Sequence, residues 1–126
     1  MTSRRETPSI ARTPEPPYFV VIFTSRRAAG EPEGYDRMAA AMSELAALQP
    51  GYLGMESVRG ADGVGITLSY WESEAAIRAW KHVAAHREAQ RHGRREWYED
   101  YTVRVGRIER AYARANSPAE GLGENG

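Results

Sequence analysis

Six consecutive apolar residues, Tyr18 to Phe23 (YFVVIF), constrain this chain more than any other stretch. Successive side chains of a strand point to opposite faces. Phe19, Val21 and Phe23 therefore line one face, and Tyr18, Val20 and Ile22 the other. A strand apolar on both faces is buried on both, which places Tyr18–Ser25 in the middle of a sheet covered on two sides. A chain of 126 residues holds one domain, so few elements are available to make those covers.

A polar connection from Arg26 to Glu33 leads into a first helix. It carries Tyr35, Met38, Met42 and Leu45 as a one-sided stripe, and Pro50-Gly51 ends it. Such a methionine stripe is core packing or the wall of a ligand pocket. Tyr52–Arg59 reads as a second strand, and Gly60 to Gly63 as a hairpin loop. The third strand, Val64–Trp71, alternates Val64, Ile66, Leu68 and Tyr70 against Gly65, Thr67 and Ser69. Ser73 is placed to cap a second helix, in which Glu74 and the alanines are good formers and Ile77 and Trp80 share a face. Arg94 to Asp100 connects to a last strand from about Tyr101 to Tyr112. Its apolar parity changes from Tyr101, Val103 and Val105 to Ile108 and Tyr112, which predicts a β-bulge or bend across Gly106.

The order β-α-β-β-α-β is the split βαβ pattern of a ferredoxin-like α+β fold. Two helices cover one face of such a sheet. The apolar second face predicts a homodimer with two sheets packed face to face. Residues 1–17, with four prolines, and 113–126 read as disordered tails around a domain at 18–112.

Composition closes several alternatives. Seventeen acids balance seventeen bases, so no excess charge points to nucleic acid or an anionic membrane. The absence of cysteine removes disulfides, thiolate nucleophiles and thiolate-bound metal. No run approaches the ~18 apolar residues of a membrane-spanning helix, and no signal-peptide core opens the chain, so a cytoplasmic protein is expected. There is no Gly-rich phosphate loop and no nucleophile elbow.

The stretch from Val64 to Gly93 holds two of the three tryptophans and all three histidines, and it is where a chemical site is expected. His82 and His86 are four apart, as zinc-ligand pairs are, but beyond Glu88 no further ligand stands at metal spacing, and no metal is expected. His86 is the candidate general base, since imidazole titrates near neutral pH; the alternative is a helix-end surface histidine. Tyr70, Trp71, Trp80, Trp97 and Tyr98 form either a flat apolar slot for a planar aromatic ligand or ordinary core and dimer interface. Arg78, with Arg91, Arg94 and Arg95, is suited to a ligand carboxylate or to a solvated helix face paired with Glu88, Glu96 and Glu99. His86 lies about 240° around an ideal helix from Trp80, so the two share a pocket only if the helix breaks within Lys81–Ala85.

The topology, the PGYLG turn at Pro50–Gly54, the ITLSYWES segment at Ile66–Ser73 and the AW…H…AQ…G spacing resemble the antibiotic biosynthesis monooxygenase family. The resemblance covers Tyr18 to Tyr112. It implies a dimeric α/β barrel and, by one branch, cofactor-free oxygenation of an aromatic small molecule. His86 and Trp80 would then be catalytic, and Tyr70, Trp71, Arg78 and Trp97 would contact substrate. A second branch degrades heme, using a first-strand asparagine, a second-helix tryptophan and a histidine ten residues further on. Trp80 matches the tryptophan, Gln90 stands at the histidine position between His86 and His92, and Thr24 and Ser25 stand near the asparagine position. A third possibility the resemblance carries is a ligand-binding barrel without chemistry.

Overall fold

The computed structural model describes residues 10–28, 34–91 and 98–114, with side chains in the second helix described through Arg87. The elements run β1 (Tyr18–Arg27), α1 (Tyr35–Ala47), β2 (Tyr52–Arg59), β3 (Val64–Trp71), α2 (Glu74–Arg91) and β4 (Tyr98–Ile108). The four strands make one antiparallel sheet in the order β2-β3-β1-β4. The doubly apolar strand is thus central, as its sequence requires, and the fold is the expected ferredoxin-like α+β arrangement.

Residues opposite one another in antiparallel strands share a face, so the register sorts the whole sheet. Phe19, Val21, Phe23 and Ser25 of β1 share a face with Trp71, Ser69, Thr67 and Gly65 of β3. Tyr52, Met55, Ser57 and Arg59 of β2 join them, as do Val105, Val103 and Tyr101 of β4. This is the helix side: Trp71, Ala46 of α1 and Ile77 of α2 form the buried core, with Phe19, Val21, Tyr52, Met55, Ala76 and Trp80 packed around it. The α1 stripe faces inward as its spacing predicts, with Tyr35 buried and Met38, Met42 and Leu45 partly so. Ser73 caps α2, its Oγ accepting the Ala76 N–H at 3.0 Å.

Gly51 sets how closely α2 can approach. Its φ is +87°, and a Cβ there would lie 2.6 Å from the Ala76 Cβ. A larger residue would push the first turn of α2 off the sheet.

The open side carries Tyr18, Val20, Ile22 and Thr24 of β1 with Tyr70, Leu68 and Ile66 of β3 and Glu56 and Val58 of β2. Tyr18 and Val20 are nevertheless only 4% and 5% exposed. The segment before β1 lies against Tyr18 on this side. Ala11 donates its N–H to Glu56 Oε2 at 2.9 Å and lies against Gly54, and the Thr13 hydroxyl meets the Tyr18 hydroxyl at 2.7 Å. The expectation of a loose tail up to Pro17 thus differs from what residues 10–17 do. They dock through hydrogen bonds and close contact with the sheet, which leave no apolar period to read. Beyond their reach Val58 and Ile66 remain 67% and 40% exposed.

Three boundaries also differ. β1 runs two residues past Ser25, and β4 begins at Tyr98 and ends at Ile108. No bulge occurs at Gly106, which pairs with Val20 in an unbroken register from Thr102 to Ile108. The register shift lies instead at Arg26/Arg27. The parity change in β4 has another cause. Val103 and Val105 are apolar on the helix side, whereas Ile108 lies on the open side opposite Tyr18, where the docked segment lies.

Removing residues 1–14 deletes the contacts of Ala11 and Thr13. We expect a loss of about 1–3 kcal/mol in urea unfolding, from lost hydrogen bonds and re-exposed apolar surface. An unchanged midpoint would show that the segment contributes nothing.

Candidate functional site

Adjacent residues of β3 serve opposite sides of the sheet. Trp71 is fully buried on the helix side, its Nε1–H donating to Ser69 Oγ at 2.9 Å. Trp80 of α2 stacks on it, with ring centroids 6.0 Å apart and planes 20° from parallel, and Tyr52 meets it edge-on at 5.6 Å. Trp71 therefore holds α2 on the sheet. Tyr70 points to the open side, donating to Glu56 Oε1 at 2.7 Å and meeting Tyr18 edge-to-face. The structure brings Trp71 and Trp80 together and puts Tyr70 on the other face from both.

α2 is unbroken through Lys81–Ala85. Ala76, Ile77, Trp80, Val83 and Ala84 make its sheet-facing stripe, and Arg78, His82 and His86 are exposed away from it. The break that would bring His86 beside Trp80 does not occur, because capping at Ser73 and an alanine-rich sequence keep the helix regular. Trp97, His92, Arg94 and Arg95 lie outside the described residues, as do the side chains of Glu88, Gln90 and Arg91.

Of the residues matched to the heme-degrading trio, His92 and the Gln90 side chain lie outside the described residues. Trp80 is committed to the Trp71 stack, Thr24 faces the open side, and Ser25 accepts a hydrogen bond from Arg59. His86 is exposed on the outer flank of α2. Among the described residues no cluster of three or more His, Asp or Glu could hold a metal ion, and no helix is long and apolar enough to cross a membrane.

Among the described residues, the helix side has a region that the helices leave open. α1 lies over β2 and α2 over β3. On β4, Tyr101, Val103 and Val105 point to that same side yet are 41%, 43% and 51% exposed. Phe23 of β1 borders them, its ring 5.6 Å from Tyr101 and 5.1 Å from Tyr98. Tyr98 in turn meets Tyr35 of α1 edge-on at 5.8 Å, with the two hydroxyls 3.5 Å apart. The result is an apolar wall along β1 and β4 that ends in two phenols. Of these residues only Tyr98 belongs to the aromatic slot that the sequence suggests. The parity of Val103 and Val105 was visible, but which side it faced depended on the β1–β4 register.

The sequence profile of the antibiotic biosynthesis monooxygenase family matches residues 17–92. The chain belongs to that family. It is 52% identical over 101 residues to YqjZ of Bacillus subtilis (strain 168), itself uncharacterized, covering 80% of this chain and 88% of that protein. It is 31% identical over 94 residues to jasmonate monooxygenase ABM of Pyricularia oryzae (strain 70-15 / ATCC MYA-4617 / FGSC 8958). That match covers 71% of this chain but only 43% of the fungal enzyme. Among solved structures the chain resembles SnoaB, a cofactor-independent oxygenase from Streptomyces nogalater. The TM-score is 0.54 at 18% identity, over 82% of this chain and 99% of SnoaB, a likeness of fold.

Tyr70 gives this ABM-family protein a distinct pH signature. Burial first, then the hydrogen bond and charge of Glu56, push its phenol up to about 12. The unfolded chain releases that proton near 10 while the folded chain keeps it, so stability falls as pH rises from 10 to about 12. Tyr52, raised by burial, acts in the same direction. Tyr70→Phe should flatten the decline, leaving the Tyr52 share. A variant whose stability–pH curve keeps the full slope would contradict the assignment.

Proposed function

We propose that the protein is a cofactor-independent monooxygenase of a planar aromatic small molecule, bound on the helix side of the sheet against β1 and β4. The observation that carries this is the exposure of Tyr101, Val103 and Val105 on the face that the helices cover elsewhere. An apolar wall flanked by aromatic rings suits a flat, hydrophobic ligand. In this reading Trp80 borders the slot from α2, positioned by its stack on Trp71. The cofactor independence of SnoaB and the monooxygenase activity in the fungal relative's name support oxygenation of a small molecule.

The chemistry is carried by the substrate. A phenol loses its proton, and the electron-rich anion reacts with dioxygen. One oxygen atom enters the ring and the other leaves as water, so a phenol plus O2 becomes a quinone plus H2O. The protein has to hold the ring flat, limit water and stabilise the anion. His86 is exposed on the outer flank of α2 and is not given the proton in this scheme.

Oxygen uptake with 1,5-dihydroxynaphthalene, in the presence of a chelator, tests the reading. One O2 should be consumed per quinone formed, and Val103→Asp should lower kcat/KM at least tenfold with the melting temperature unchanged. His86→Ala should leave the rate intact. Tight binding of the naphthalenediol without oxygen uptake would favour a ligand-binding barrel instead.

We further propose that the open side pairs with a second copy of the chain, burying Val58 and Ile66 with the half-buried Ile22 and Leu68. Light scattering should give about twice the 14.1 kDa chain mass at micromolar concentration, and Ile66→Glu should shift it to one chain. A wild-type protein with the mass of one chain would remove this pairing.

A further inference from the structure

At the end of the apolar wall where β1 and β2 finish and β4 begins, a guanidinium lies without a countercharge among the described residues. Arg59 is the last residue of β2 and points to the helix side, directly across from Gly65. Its side chain lies over that glycine: a Cβ there would stand 2.7 Å from Arg59 Cζ, so no larger residue fits beneath it. Nη2 donates to Ser25 Oγ at 3.0 Å and to the Tyr35 hydroxyl at 2.9 Å. Nη1 donates to the carbonyls of Gly63 and Ser25. Every one of these acceptors is neutral. Among the described residues no carboxylate pairs with Arg59, although its neighbour Arg27 pairs with Asp36 at 3.7 Å.

The two arginines also flank one ring. Arg27 Cζ lies 4.8 Å and Arg59 Cζ 5.5 Å from the centroid of Tyr35. The Tyr35 hydroxyl accepts from Arg59, which turns its own hydrogen away from the guanidinium and toward the side on which the Tyr98 hydroxyl stands. Tyr98 packs against Phe23, and Phe23 against Tyr101, so this end is continuous with the wall assigned to the substrate.

A partly buried cation is ordinarily matched by an anion, because its desolvation is otherwise uncompensated. Here the described residues supply neutral acceptors that fix the guanidinium in place and leave its charge unbalanced among them. We propose that this end is an anion subsite, and that the substrate is a planar hydrophobic carboxylic acid. Its carboxylate accepts a hydrogen bond from the Tyr98 hydroxyl, which itself accepts from Tyr35, in the field of Arg59, and its apolar body lies along Phe23, Val103 and Val105. The inference rests on the helix-side slot of the preceding section and adds the charge of what fills it. Charge-assisted hydrogen bonds of this kind discriminate strongly between an acid and its neutral amide.

The experiment compares 2-naphthoate with 2-naphthamide, which differ little in shape, by calorimetric titration of the full chain at low salt. Wild-type protein should bind the acid at least tenfold more tightly. In Arg59→Met that advantage should fall to within twofold while the affinity for the amide holds. Tyr98→Phe removes a hydroxyl at a partly exposed position; it should cut acid binding three- to tenfold and leave the amide unaffected, which keeps the inference falsifiable if Arg59→Met fails to fold. Equal binding of acid and amide by wild type overturns the anion subsite and leaves the slot standing. Binding of neither overturns both. An acid preference that survives both substitutions places the anion elsewhere and overturns the assignment to Arg59.

Discussion

Burial of Trp71 is the contact on which the rest of the structure depends. It closes β3 at the point where that strand pairs with Phe19 of β1 and Tyr52 of β2. Its indole packs with Ala46 from α1 and carries the stacked ring of Trp80 from α2. Two helices and three strands therefore meet at one side chain. Truncating such a residue to alanine costs about 3–5 kcal/mol, a large part of the stability of a domain this size. Its single polar atom is satisfied within its own strand by Ser69, so the burial carries no unpaired donor.

Because the core gathers around β3, the sheet is unevenly covered. On the helix side, packing is dense over β2 and β3 and thins out over β4, where valines and tyrosines stay half open. On the open side, the segment before β1 docks on Glu56 and Tyr18, and Val58 and Ile66 stay exposed. These two uncovered regions lie on opposite faces. One ends in phenols and a guanidinium, and suits a small polar-tipped ligand. The other presents the aliphatic side chains of Val58 and Ile66.

Periodicity carried the fold well, since the local signals were strong and agreed with one another. The doubly apolar YFVVIF run marked the central strand, the Tyr35–Leu45 stripe gave α1, and Ser73 capped α2 where its side chain predicts. What failed depended on tertiary context. The parity change in β4 resembles a bulge when viewed alone, and becomes a change of neighbour once β1 lies beside it. Residues 10–17 carry no apolar period, so their docking through Ala11 and Thr13 left no trace. The site was legible only in part. Aromatic content drew attention to Trp71, Trp80 and Tyr70, yet alternation along β3 separates Tyr70 from the other two. Arg59 had a faint signal: counting back through the hairpin sets it across from Gly65, and a glycine inside a strand marks a close approach.

The central claim is that the two faces of one sheet have separate partners, a small acid on the helix side and a second chain on the open side. Methyl-resolved NMR on isotope-labelled protein tests this directly, by recording the same valine and isoleucine signals during titration with 2-naphthoate and during serial dilution. The account predicts that the naphthoate moves the Val103 and Val105 methyls and leaves Val58 and Ile66 in place, whereas dilution does the reverse. Movement of Val58 and Ile66 by the naphthoate, with Val103 and Val105 unmoved, would contradict it.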